Sequence, residues 1–196
     1  MTIKQIEKAK AQIVAIRKTI ADEKRQWGGY HDGRGLRYAP PLYYLKISDF
    51  KGAITYFRWF QKNFPDDCGE PHFLFEWCIT LFKNGKSKEA EKKAVETFMS
   101  NTYLIDTFLG KPFHSFDELE HSEWQKNQVT QYFSYSAKQE HLKGFAHWLS
   151  EFVLSDKFQA ITNTFITNEI RLLTEPMGEK RNELVDSKRR LLDNFQ

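Results

Sequence analysis

From the first residues onward, apolar side chains recur at intervals of three and four, the period of a helix with one buried face. Ile6, Ala9, Ile13, Ile16 and Ile20 form a narrow stripe flanked by Lys, Gln, Glu and Arg. The stripe predicts a helix from Ile3 to Lys24, ended by Trp27, Gly28 and Gly29. Pro40 and Pro41 open the next helix, since a missing N–H costs little in a first turn. It runs through Leu42, Tyr43, Leu45 and Ile47. Ser48-Asp49 then supplies a cap for a helix from Phe50 to Phe64, stopped by Pro65-Asp66-Asp67. Pro71 starts a helix bearing Phe73, Leu74, Trp77, Cys78, Leu81 and Phe82. Its apolar groups lie on most sides, which predicts a central position. Asn84-Gly85-Lys86 reads as a left-handed cap, followed by a helix from Ser87 to Met99 with Ala90, Ala94, Val95 and Phe98 on one face. A shorter helix over Thr102 to Leu109 ends at Gly110-Lys111-Pro112.

From residue 113 onward the spacing changes. Ser115 to Glu118 resembles a capping box. Helices are expected at about 121–135, 138–154, 157–174 and, after Pro176, 178–194. No stretch alternates with a period of two, so the expected class is all-α. The expected organisation is a single helical domain over 1–196. It comprises an N-terminal helix (1–27), antiparallel helix pairs stacked as a short array (37–109) and C-terminal helices (113–196).

Within the central region one spacing occurs twice, 37 residues apart. The first copy is Ser48, Phe50, Ala53, Phe57, Phe60 and Pro65; the second begins Gly85, Ser87, Ala90, Ala94 and Thr97. A helix–turn–helix unit repeated along a chain has this form. The run from Ser48 to Pro65 resembles the second helix of a tetratricopeptide repeat, and Asn84 to Ala90 resembles the same turn in another copy. Phe60 is large where that family places a small residue, and Ser87 is small where it places an aromatic. The likeness covers about residues 36–100. The whole chain is also similar to an uncharacterised bacterial family with the segments Phe64-Pro65-Asp66-Asp67 and Ser100-Asn101-Thr102-Tyr103.

In tetratricopeptide proteins the first helix of each unit lines a groove that holds a peptide. The resemblance therefore implies that Tyr38, Leu42, His72, Phe75 and Ile79 face such a groove. Two repeats alone leave apolar faces that other elements must cover. The same five residues have a second reading, as core beneath the C-terminal helices.

Composition narrows the function classes. The 17 Phe, 8 Tyr and 5 Trp imply wide gaps between helices to be filled by rings. A net charge of +3 arises from 29 basic and 26 acidic side chains mixed along the chain. That mixing argues against a nucleic-acid binder, which concentrates basic charge on one face. In the C-terminal helix, Lys180, Arg181, Lys188, Arg189 and Arg190 are interrupted by Glu179, Glu183 and Asp186, as in a solvated helix with internal ion pairs. Cys68 and Cys78 fit neither a disulfide framework nor a CxxC site, which suits a reducing compartment. No apolar leader and no run of membrane-spanning length is evident. The expected location is the cytoplasm, with no membrane partner.

Candidate chemistry is sparse. The glycine-rich stretch 28–37 lacks the Lys and Ser/Thr of a phosphate-binding loop. His31 with Asp32 is a candidate acid–base pair, and Arg34 with Arg37 a candidate anion site. His114, Glu118 and His121 have zinc-binding side chains but not the spacing of a known motif. None of these assembles a catalytic, cofactor or metal set. The leading expectation is a non-enzymatic scaffold that binds a protein or peptide partner. The alternative is a small-ligand protein or enzyme using the 28–37 loop. The Ile6–Ile20 stripe has two readings, packing along its own chain or pairing with a twin in a homodimer.

Overall fold

The computed structural model describes residues 1–30, 32–113, 119 and 122–195. Among these residues there are ten α-helices and no strand, so the protein is all-α. The helices are α1 (Ile3–Trp27), α2 (Pro40–Lys46), α3 (Phe50–Asn63), α4 (Pro71–Lys83), α5 (Ser87–Ser100), α6 (Leu104–Leu109), α7 (Ser122–Tyr132), α8 (Lys143–Phe152), α9 (Asp156–Thr174) and α10 (Glu179–Asp193). Short 3-10 turns at Leu36–Tyr38 and Glu140–Leu142 lead towards α2 and α8. The chain divides into two compact units, Met1–Ala90 and Glu91–Gln196, with the division inside α5. The region 37–109 therefore contributes to both.

In the first unit, α1 begins with a reciprocal capping box between Thr2 and Gln5. It lies along α2, which packs on α3 and α4, while α3 packs on α4. Ala9, Ile13 and Ile20 are buried, and Ile6 and Ile16 are half-buried. The apolar stripe thus packs within its own unit, the first of its two readings. The reason is that α2 and the turn before it offer a matching apolar surface within the same unit.

Helix α4 is central, as its all-round apolar pattern predicts; Phe73, Leu74, Phe75, Cys78, Ile79 and Leu81 are buried on it. Rings fill the gap between α3 and α4. Phe57 stacks on Trp77 with centroids 4.7 Å apart, and Phe60 meets Phe73 at 4.5 Å.

In the second unit, α9 and α10 pack against each other, and α6 contacts α7. Ser155 caps α9 by accepting from the Phe158 amide. Phe98 meets Phe158 and Phe165 edge to face, at 5.6 and 6.3 Å. Lys157 reaches Glu91 at 2.9 Å, and the Lys188 ammonium donates to the Met99 carbonyl.

Helix α7 stops at Tyr132, earlier than its apolar pattern suggests. Beyond it the Gln139 side chain accepts from the Ser136 amide and donates to the Ser134 carbonyl, turning the backbone away from helix. The expected capping box at 115–118 and the candidate ligands His114, Glu118 and His121 lie outside the described residues.

Candidate functional site

The repeated spacing corresponds to a repeated backbone. Helices α2 and α4 end at Lys46 and Lys83; α3 and α5 start at Phe50 and Ser87 and finish at Asn63 and Ser100. Every one of these boundaries recurs at the 37-residue spacing of the sequence pattern. The turns between them match bond for bond. In the first, the Ser48 amide donates to the Leu45 carbonyl at 3.0 Å and the Asp49 amide to Tyr44 at 2.9 Å. In the second, Gly85 donates to Phe82 at 2.9 Å and Lys86 to Leu81 at 3.0 Å. This double closure is the Schellman arrangement, and it needs a left-handed residue at its centre. Ser48 has φ 56° and Gly85 has φ 72°. Ala53 and Ala90 then sit at the same place in the following helix, each fully buried. A larger side chain there would hold the paired helices apart.

Ahead of the first elbow, the 28–37 stretch is tied down rather than open. The Asp32 carboxylate accepts from the amides of Leu36 at 2.8 Å and Arg37 at 2.7 Å. It thereby caps the 3-10 turn. The Arg37 guanidinium bridges Asp32 and Asp67, with Nε 2.7 Å from Asp67. Tyr38 donates to Asp67 at 2.7 Å and accepts from Arg37 at 3.0 Å. The Tyr56 hydroxyl donates to the Arg37 carbonyl at 2.7 Å. Glycine supplies the left-handed turn that starts this segment, with Gly35 at φ 66°.

The electrostatics follow from this clamp. Burial, then the hydrogen bond and charge of Asp67, push the Tyr38 hydroxyl up to about 12. Burial alone would raise Asp67, but bonds from Tyr38, Gly69 and Arg37 outweigh it and hold the carboxyl below its ordinary 3.8. Burial drives Tyr56 up strongly. All these groups are thereby locked in their usual protonation states around neutral pH.

Of the candidate chemical residues, the fold pairs Asp32 with Arg37. Asp32 and Arg37 neutralise each other, Arg34 is exposed, and His31 lies outside the described residues. Arg37, which with Arg34 made a candidate anion site, is engaged by two carboxylates. The partnership of Arg37 with Asp67 gave no local signal in the sequence, since the two lie far apart along the chain. Cys68 is exposed and Cys78 is buried, and neither is in a disulfide. Among the described residues no helix is long and apolar enough to cross a membrane.

The five residues implied by the family resemblance divide. Phe75 and Ile79 are 1% and 0% exposed, so neither is open to solvent. Helices α2 and α3 both pack on α4. Tyr38, Leu42 and His72 are half-buried. The Tyr38 ring is held between Phe60 and Phe73, at 6.0 and 5.2 Å, and its hydroxyl belongs to the clamp. Partial burial lowers the basicity of His72. Leu42 on α2 and His72 at the start of α4 thus keep part of their surface accessible.

No family model matches the chain, and neither does any curated protein or solved structure.

Proposed function

We propose that the protein is a non-enzymatic helical-repeat scaffold of the cytoplasm that binds a peptide or protein partner through the exposed side of α2. The repeated elbow carries this reading. Two turns with the same hydrogen bonds, a left-handed residue at the same position and a buried alanine at the same offset are what a tetratricopeptide-like array requires. Rigid pairing of successive helices gives a surface with fixed spacing, which suits recognition of a segment of another chain. The clamp of Asp32, Arg37, Tyr38 and Asp67 supports it further, because it engages Asp32, one of the groups that a reaction at the 28–37 loop would need.

Position-specific photocrosslinking tests the proposal. A photoreactive amino acid at Leu42 or Tyr43 should yield a discrete adduct in native cytosol. The same group at Lys51 or Arg58, exposed on α3, should not. Equal labelling at all four positions, or none at Leu42 and Tyr43, would overturn it.

A further inference from the structure

Helix α1 has 25 residues and α2 only seven. At 1.5 Å per residue the first outruns the second by about 27 Å. Where the N-terminal turns of α1 meet the last turn of α2, this mismatch leaves a notch of about 720 Å³. Met1 lines it ahead of α1, Gln5, Lys8, Ala9 and Gln12 from α1, and Tyr43 and Lys46 from α2. Ala9, only 6% exposed, and the half-buried Tyr43 ring provide an apolar floor. The rim is cationic: Lys8 and Lys46 are both exposed, and no Asp or Glu lines the notch.

Lys86, Lys93, Lys126, Lys143 and Lys157 each reach a carboxylate. Among the described residues, Lys8 and Lys46 pair with none; Lys46 lies 5.7 Å from the Tyr43 ring centroid. Lys4, four residues before Lys8, adds a cation on the same side of α1. Two uncompensated positive charges flanking an apolar floor select a ligand with negative charges flanking an apolar group.

We propose that this notch is the docking site for an acidic peptide segment of the partner, with carboxylates on Lys8 and Lys46 and an apolar side chain over Ala9 and Tyr43. The inference rests on the scaffold reading and deepens it, because Lys46 shares the α2 face of Leu42. A polyanion such as nucleic acid fits less well. Only a few lysines converge here, and the floor offers apolar surface rather than a continuous basic track.

Fluorescence anisotropy with a labelled Gly-Glu-Glu-Leu-Phe-Glu-Glu-Gly peptide tests the site. Lys8→Glu with Lys46→Glu should weaken binding about tenfold or more, and replacing every Glu of the peptide by Gln should do the same. Lys51→Glu, elsewhere on the surface, should leave the affinity within about twofold. The single variant Lys46→Met, with circular dichroism to confirm the fold, should fall in between. Undiminished binding to the double variant would overturn the proposal, as would equal binding of the Gln peptide or equally effective competition by a ten-residue oligo(dT). So would a homodimer dispersed by the same reversals, seen by sedimentation, since a second copy would then be the occupant. If photocrosslinks at Leu42 persist unchanged in the double variant, the scaffold stands and only the acidic partner is lost.

Discussion

Around the first elbow the buried Tyr44 ring lies against Gly52; at the matching positions of the second elbow are buried Leu81 and exposed Glu89. A Cβ on Gly52 would meet the Asp49 carboxylate and come within 2.6 Å of Tyr44 Cε1. The first elbow is thus closed over by a ring that fills the space of a missing side chain. The second uses a shorter aliphatic group and leaves room for a glutamate paired with Lys86. The first also has a side-chain cap, Asp49 accepting from the Gly52 amide at 2.8 Å. Identical backbones are therefore reached with different side-chain solutions. What is held in common is the part that sets helix spacing: the double closure, the left-handed centre and the buried alanine.

Exchanging the differing pair should break the equivalence most sharply. Gly52→Glu should cost about 3 kcal/mol by overpacking against Asp49 and Tyr44, measured by urea unfolding. Adding Tyr44→Leu should recover part of that loss, so that the double variant is more stable than the sum of the single changes. Additive losses would mean that the two positions are independent.

Ala53→Leu and Ala90→Leu should each cost about 2 kcal/mol, because both alanines are sealed. Similar losses sharpen the comparison, and a negligible loss at one site would undo it.

Gly85→Ala should cost about 1 kcal/mol, whereas Ser48→Gly should gain about 0.5 kcal/mol, since only glycine tolerates a left-handed φ without strain. Thermal melts of the two variants would reveal the opposite signs. Asp49→Ala should also cost about 1 kcal/mol through loss of the cap.

The smallest effect concerns the clamp ahead of the first elbow. Because the Asp67 pKa is lowered on folding, the unfolded chain binds more protons between the folded and unfolded values, and stability rises with pH there. Its contribution is complete above the unfolded value and is lost as pH falls through the folded one. Asp67→Asn should flatten the acid limb of a stability–pH profile below about pH 4.

The helices were legible because each carries its signal locally. Pro40 and Pro71 mark two starts, Gly28, Gly85 and Gly110 mark stops, and the apolar period does the rest. Ser48 was legible only in part. It reads as a helix cap, yet Asp49 does the capping, and Ser48 takes the strained left-handed place that glycine fills in the second elbow. The clamp was not legible, since Asp32, Arg37 and Asp67 are charged residues in segments that look like solvated loop. The notch was hidden for a similar reason, because the pairing state of Lys8 and Lys46 depends on which carboxylates the fold brings near.

By itself the sequence determined an all-α chain, the approximate limits of its helices and the recurrence of one turn. Propensity, capping and periodicity act over a few residues and are written in consecutive positions. The tertiary structure decided which apolar faces are closed. It turned the Ile6–Ile20 stripe onto α2, buried Phe75 and Ile79, and left two lysines beside an uncovered floor. Periodicity states that a face must be covered, while the covering surface comes from distant segments whose approach depends on the packing of the whole unit.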